Sequence, residues 1–148
     1  MITSFSGKFR FLSNFWPAKV EIDGIEFPTV EHAYQASKTV SYAAFIRQTQ
    51  TTHEQYCQLT PGQAKRLGHK VALRPDWDKV RVQVMLGLLR QKFAVPELAK
   101  MLCDTSGKWL IEGNHWHDNF WGVCGCQRCG TGANMLGMLL MQVRGELQ

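Results

Sequence analysis

Between Gly113 and Met141 the chain reads GNHWHDNFWGVCGCQRCGTGANMLGMLLM, and two histidines, one aspartate, two tryptophans and three cysteines crowd into that stretch. Cys124, Cys126 and Cys129 stand in C-x-C-x2-C spacing with His115 and His117 just upstream. Thiolate and imidazole in that proximity are the ligands of a tetrahedral zinc site. The fourth ligand is to be chosen among His115, His117, Cys103 and Cys57, with His117 the first choice, and three reduced thiols without a metal are the competing reading. Asp118 sits beside Asn119, Phe120 and Trp121, where aromatic walls can exclude water and shift a carboxyl's pKa, as acid or electrostatic catalysis needs. An Asx turn without chemistry would use the same residues. A second group lies early in the chain: Glu31, Tyr34, Gln35 and Lys38 fall at i, i+3, i+4 and i+7, which lines a carboxylate and an amine along one helical face. A solvated charged stripe is the plainer alternative. Trp77 is either core or a flat surface for a planar ring at the mouth of a pocket.

The elements that must carry these groups are legible in outline. SFSGKFRFLSNFW alternates aromatic and polar residues and predicts an extended segment over 5–15. AKVEI and IEF flank Asp23-Gly24, a dipeptide suited to a two-residue hairpin turn. Pro28 closes the second strand, and Thr29 can cap a helix through VEHAYQASKTV. A further helical stretch is expected from Tyr42 to Leu59. Thr60-Pro61-Gly62-Gln63 then signals a fresh helix start, with capping hydroxyl, proline and glutamine in register. Asp76 can cap the longest helix, WDKVRVQVMLGLLRQKF, whose broad apolar arc implies central burial with Lys79, Arg81, Arg90 and Lys92 leaving it at the edges. Pro96 starts a short helix, KWLIE reads as a strand, and Asn134 is placed to cap an apolar last helix. The expectation is an α+β fold, a mostly helical single domain over 1–148 with a small N-terminal β-hairpin.

Composition narrows the function classes. The 148 residues carry 17 Lys and Arg against 12 Asp and Glu, a formal charge of +5. That balance suits polyanions such as nucleic acid or phosphorylated small molecules, or simply a slightly basic protein. No apolar run is long enough to span a bilayer, and MITSFSGKFRF lacks the apolar centre of a signal peptide. No membrane partner and a cytoplasmic setting are therefore expected. Five cysteines, an odd number, fit reduced thiols or metal ligands better than a secreted disulfide framework.

Taken in order, FRFLSNFWP, DGIEFPTVEHAYQASK, RPDWDKVRVQVMLGLLRQKF, NHWHDNFWG and GANMLGMLLMQVR together resemble the NADAR family, also called YbiA-like. The resemblance implies an α+β domain that hydrolyses N-glycosidic bonds. Two substrate classes go with it: phosphoribosylated early intermediates of riboflavin synthesis (ribosylaminouracil or diaminopyrimidine phosphates), and ADP-ribose attached to guanine in nucleotides or nucleic acid. It makes Glu31, Trp77 and Asp118 the leading functional positions, while Lys38, Asn14, Trp121, Gly122 and Asn134 match other characteristic ones. Breaking a ribose C–N bond places positive charge on the sugar and negative charge on the departing nitrogen, so a carboxylate and a proton donor are wanted. Glu31 would activate water or stabilise the oxocarbenium-like state and Asp118 would position the sugar or assist departure, or the two roles are reversed. Lys38 would attack the anomeric carbon or bind phosphate. Trp77 and Trp121 would stack on the base, Tyr34 would join them in binding substrate, and Arg10 with helix termini would hold phosphate. No cofactor is required for such catalysis. The connector VCGCQRCGTGA departs from the family's short glycine-rich one, which makes a structural zinc a feature of this branch. The rival from another class is a small zinc-containing basic module that binds nucleic acid without catalysis.

Overall fold

The computed structural model describes all 148 residues, which divide into two compact units, 14–92 and 1–13 with 93–148. In the first, Asp23 and Gly24 hold φ of 51° and 79° and fold β1 (Val20–Ile22) back on β2 (Ile25–Phe27), with Val20 opposite Phe27 and Ile22 opposite Ile25. Positive φ at both central positions is what lets a two-residue turn match strand twist. After Pro28, the Thr29 hydroxyl accepts the His32 amide at 3.1 Å and opens α1 (Val30–Ala36), all seven residues of which are buried.

Three features of this unit depart from the sequence expectations. α1 stops at Ala36 and does not run on to Val40: Ser37 donates its hydroxyl back to Ala33 O and Thr39 donates to Ser41 O, so short polar side chains draw the backbone out of the helix. The stretch 42–59 is two helices, α2 (Tyr42–Thr49) and α3 (His53–Gln58). Gln50 turns left-handed between them at φ 54°, and Thr52 with Gln55 forms a capping box that restarts the chain. The box at Thr60 opens α4 (Pro61–Gly68) as its spacing predicts. In α5 (Trp77–Lys92), Met85, Leu86, Leu88 and Leu89 are buried, but Lys92 is fully buried as well and does not leave at an edge. Desolvation pushes its amine down to about 7. The carboxylate of Asp76 is engaged by Arg74, and its carbonyl, at 2.9 Å from Lys79 N, receives the first turn. The centre of this unit is aromatic: Phe45 and Tyr56 meet edge to face at 4.8 Å, and Phe27 meets Tyr42 at 5.2 Å. Tyr56 donates to His32 O at 2.7 Å, which fixes α3 against α1.

In the second unit the N-terminal segment is a 3-10 helix, Gly7–Leu12, in place of the extended segment expected. Phe11 and Leu12 are buried side by side, which a strand with one inward face does not allow. α6 (Pro96–Cys103) starts at its proline. KWLIE pairs only through a single bridge, Leu110 with Ile2, so the expected strand is not formed. β3 (Gly113–Asn114) and β4 (Val123–Cys124) make a short parallel pair. The last helix, α7 (Met135–Glu146), packs on α6, and Arg144 ties its end to Thr105 O and Lys108 O. Asn134 does not cap α7 with its side chain. It is left-handed at φ 51°, and its amide is spent elsewhere, donating to Leu110 O at 2.9 Å and accepting Glu112 N at 3.0 Å. Gly137 makes that latch fit, because a Cβ there would overlap Leu110 O and the Asn134 amide. The result is α+β, mostly helical, with the small hairpin near the N-terminus as expected. No helix is long and apolar enough to cross a membrane.

Candidate functional site

Five of the expected residues belong to unit 14–92: Glu31, Tyr34, Lys38, Trp77 and Asn14. Glu31 lies in the first turn of α1 and is 6 % exposed. Gln35, one turn on and 2 % exposed, donates Nε2–H to Glu31 Oε1 at 2.7 Å. A hydrogen bond of that kind fixes the direction in which the carboxylate points. The backbone beneath it is held too, since Glu31 N donates to Asn14 O at 3.1 Å. Each of the two residues that bond Glu31 also has a buried side-chain acceptor without a hydrogen-bond partner, Asn14 Oδ1 and Gln35 Oε1. Buried acceptors left unmet cost about 1–3 kcal/mol each, and such groups gather where a ligand or water supplies the donor.

Lys38 lies in the turn just beyond α1 and is half-buried. Its Nζ donates to Gly68 O at 3.5 Å and stands 5.8 Å from the Tyr34 ring centroid, a cation–π arrangement. Burial pushes the Lys38 amine down, the negative Glu31 opposes that shift, and the positive Lys65 adds to it. Trp77 is 5 % exposed and packs on Tyr34 with ring centroids 5.1 Å apart. α4 comes close enough to allow all this because Gly68 has no side chain: a Cβ there would overlap the Gln35 amide. A cavity of about 260 Å³ in the same unit is lined by Phe27, Ala33, Ala36, Ser37, Val84 and Arg74 among others, and by none of the expected site residues.

The other unit carries Arg10, Asp118, Trp121, Gly122, Asn134 and the sulfur cluster. Asp118 is half-buried, and its Oδ1 accepts both Phe120 N at 3.1 Å and Trp121 N at 2.9 Å. The Asx turn is therefore real, and neither bond falls on Oδ2. Asn114 holds the loop from below, donating to Asp118 O at 2.7 Å and accepting Asp118 N at 3.2 Å. Gly122 is buried where a Cβ would overlap Glu112 O, and Phe120 meets Trp121 edge to face at 4.9 Å. Arg10 is exposed, at the end of the 3-10 helix. His117, left-handed at φ 67°, is the histidine that joins the three cysteines. Its Nδ1 lies 3.2 Å from Cys129 Sγ, 3.5 Å from Cys126 Sγ and 3.7 Å from Cys124 Sγ, and the four ligand atoms all lie within 4.8 Å of one another. This donor set can hold a metal ion.

The NADAR domain description matches residues 4–148. The chain belongs to the NADAR family. Among NADAR relatives, the Escherichia coli N-glycosidase YbiA is 37 % identical over 151 residues, 97 % of this chain and 85 % of that protein. An N-glycosidase of Nostoc punctiforme is 37 % identical over 141 residues, 92 % of this chain and 84 % of its own. A chloroplastic riboflavin biosynthesis protein of Zea mays, PYRR, is 33 % identical over 150 residues. There the chain spans 94 % of itself but only 23 % of the maize protein. The NMR structure of E. coli YbiA superposes with a TM-score of 0.77 at 32 % identity, covering 99 % of this chain and 84 % of that one.

Two residues of the NADAR scaffold were not singled out from sequence as site residues. Gln35 is one turn from Glu31, so an i, i+4 reading of α1 carried the signal. Asn114 stands four residues before Asp118, but only the loop's path shows that its amide brackets that residue.

Proposed function

We propose that this chain is an N-glycosidase that cleaves the ribose C–N bond of a phosphorylated ribosyl substrate: an early riboflavin-pathway intermediate, or ADP-ribose joined to guanine in a nucleotide or nucleic acid. The observation that carries this reading is the buried Glu31 carboxylate, tethered by Gln35, with an unmet side-chain acceptor on each of the two residues that bond Glu31. Ribose hydroxyls and the exocyclic amines of a pyrimidine or guanine are donors of the kind those acceptors lack. In the reaction, water oxygen bonds to the anomeric carbon as the C–N bond breaks, and the proton lost by water ends on the leaving nitrogen. Glu31, held in place by the Gln35 N–H, takes that proton or stabilises the cationic sugar. Asp118 is assigned to positioning the sugar or assisting departure of the base. Lys38 acts as an ammonium that binds phosphate, a role in keeping with its carbonyl and ring contacts. Trp77 and Trp121 supply flat faces for the planar leaving group and Arg10 a charge for phosphate, with Asn14, Tyr34, Gly122 and Asn134 shaping the binding surface. The chemistry needs no cofactor, and the ion we assign to Cys124, Cys126, Cys129 and His117 is a structural zinc. Reduced thiols and a phosphorylated substrate go with a cytoplasmic setting and no membrane.

The test is a two-arm assay. Purified protein is mixed with ribosylaminouracil phosphate and, separately, with guanine-ADP-ribosylated DNA, and release of ribose phosphate or ADP-ribose is followed. Turnover in one arm identifies the substrate class. No turnover in either, with salt-dependent binding to unmodified nucleic acid, overturns the hydrolase in favour of the zinc-containing binding module.

A further inference from the structure

We infer that a zinc ion at Cys124, Cys126, Cys129 and His117 is the clip that holds the Asp118 loop in shape, so that metal occupancy sets the orientation of that aspartate. The inference rests on the reading that Asp118 serves the reaction. One imidazole nitrogen has a single lone pair or a single N–H, so hydrogen bonding accounts for at most one of the three sulfurs that face His117 Nδ1 at 3.2–3.7 Å. A tetrahedral ion accounts for all three. With Zn–S of about 2.3 Å and Zn–N of about 2.0–2.1 Å, the S···N edge of the tetrahedron is about 3.6 Å, and the three observed separations bracket it. Three thiolates and an imidazole are soft donors that select zinc over magnesium or calcium.

The positions of the ligands say what the ion does. His117 immediately precedes Asp118, while Cys124 is buried in β4 and Cys126 and Cys129 lie in the turn beyond it, Cys129 N donating to Cys126 O. The ion therefore ties the start of the loop to its far side, and the loop between is cross-braced by Cys124 N donating to Asn119 Oδ1 at 3.1 Å. His115, Trp116 and His117 are all exposed, so apolar burial does little to order them. Each fixed residue costs about 1–2 kcal/mol of backbone entropy, and the metal–ligand bonds offset that cost at the point where the chain holds a left-handed histidine.

The experiment uses the full chain as purified. Metal content is measured first, and the chelated protein is then titrated with Zn(II) and with Co(II), whose tetrahedral thiolate complexes absorb strongly in the visible. We expect about one equivalent bound with that absorption, and a Cys126→Ser/Cys129→Ser variant that shows neither. Amide hydrogen exchange across 115–123 should rise at least about tenfold on chelation or in the double variant, a loss of about 1.4 kcal/mol in local stability, and return on adding zinc to the chelated wild type. Exchange in α1 should not change, which also shows that the variant is folded. Absence of stoichiometric binding, or binding that leaves exchange across 115–123 untouched, overturns the clip. Turnover of the metal-loaded protein is scored separately: a loaded, ordered loop with no glycosidase activity sinks the proposed function and leaves the clip standing.

Discussion

Glu31→Gln separates chemistry from packing more cleanly than any other single change. The substitution preserves volume, and Gln35 Nε2, now 2.7 Å from a carboxylate oxygen, still finds an oxygen to donate to. A hydrogen bond to a charged group, worth about 1.5–3 kcal/mol, becomes a neutral one worth about 0.5–1.5 kcal/mol. Against that loss, a residue 6 % exposed no longer keeps a charge out of water. The two effects oppose, so stability should change by no more than about 1 kcal/mol, or about 4 °C in Tm for a chain of this length. Turnover should respond very differently, because an amide neither takes a proton from water nor balances a cationic sugar: a fall of about 10²–10⁴-fold is expected, equivalent to about 3–5 kcal/mol on the barrier. Rates are measured at saturating substrate and divided by the folded fraction from circular dichroism. Turnover within about threefold of wild type, together with a Tm lowered by well over 4 °C, would show that Glu31 is a packing residue and refute the mechanism.

Gly68→Ala should displace the Gln35 amide, since its Cβ overlaps that group; a loss of about 1–3 kcal/mol in urea unfolding is expected, with reduced turnover in the folded fraction. If Lys38 is the ammonium its contacts imply, borohydride added during turnover traps no covalent sugar adduct and Lys38→Met mainly raises KM; a trapped adduct at Lys38 would make it the nucleophile instead. Lys92 carries a pH signature. Between its folded value of about 7 and the unfolded value of about 10.4, only the unfolded chain keeps the proton, so stability rises with pH by up to about 1.4 kcal/mol per unit across that window. Lys92→Met should lose that slope, so its stability relative to wild type is greatest at and below about pH 7 and declines toward about pH 10; an unchanged slope in urea unfolding at several pH values would refute the assignment.

Short-range chemistry was readable in the sequence. Asp23-Gly24, Thr29 and the box at Thr60 act through their own neighbours, and each does in the structure what its spacing implies. The features that escaped depend on partners far along the chain or on competing local bonds. Spacing places Lys92 three residues after Leu89 and four after Leu88, on the buried stripe, whereas Arg90, two residues earlier, is exposed; what misled was the habit of long cations of reaching back to water from such positions. Asn134 has the residue type of a cap, and only the proximity of Leu110 and Glu112 turns it into a latch. The four phenylalanines before Trp16 suggest a strand by alternation, yet Phe11 and Leu12 are buried as neighbours in a 3-10 helix. At the site, the stripe of Glu31 and Gln35 and the ligand set Cys124, Cys126, Cys129 and His117 were both visible from spacing, whereas the bracket that Asn114 makes on Asp118 depends on the path of the loop.

Every residue of α1, from Val30 to Ala36, is buried. A segment with no solvent face opens only when the protein unfolds as a whole, so its innermost amides should exchange at the global rate and serve as an internal gauge of stability. It also follows that Glu31 rides on a part of the molecule that does not breathe. Whatever opens to admit substrate or release product must therefore be something other than the helix that carries the carboxylate.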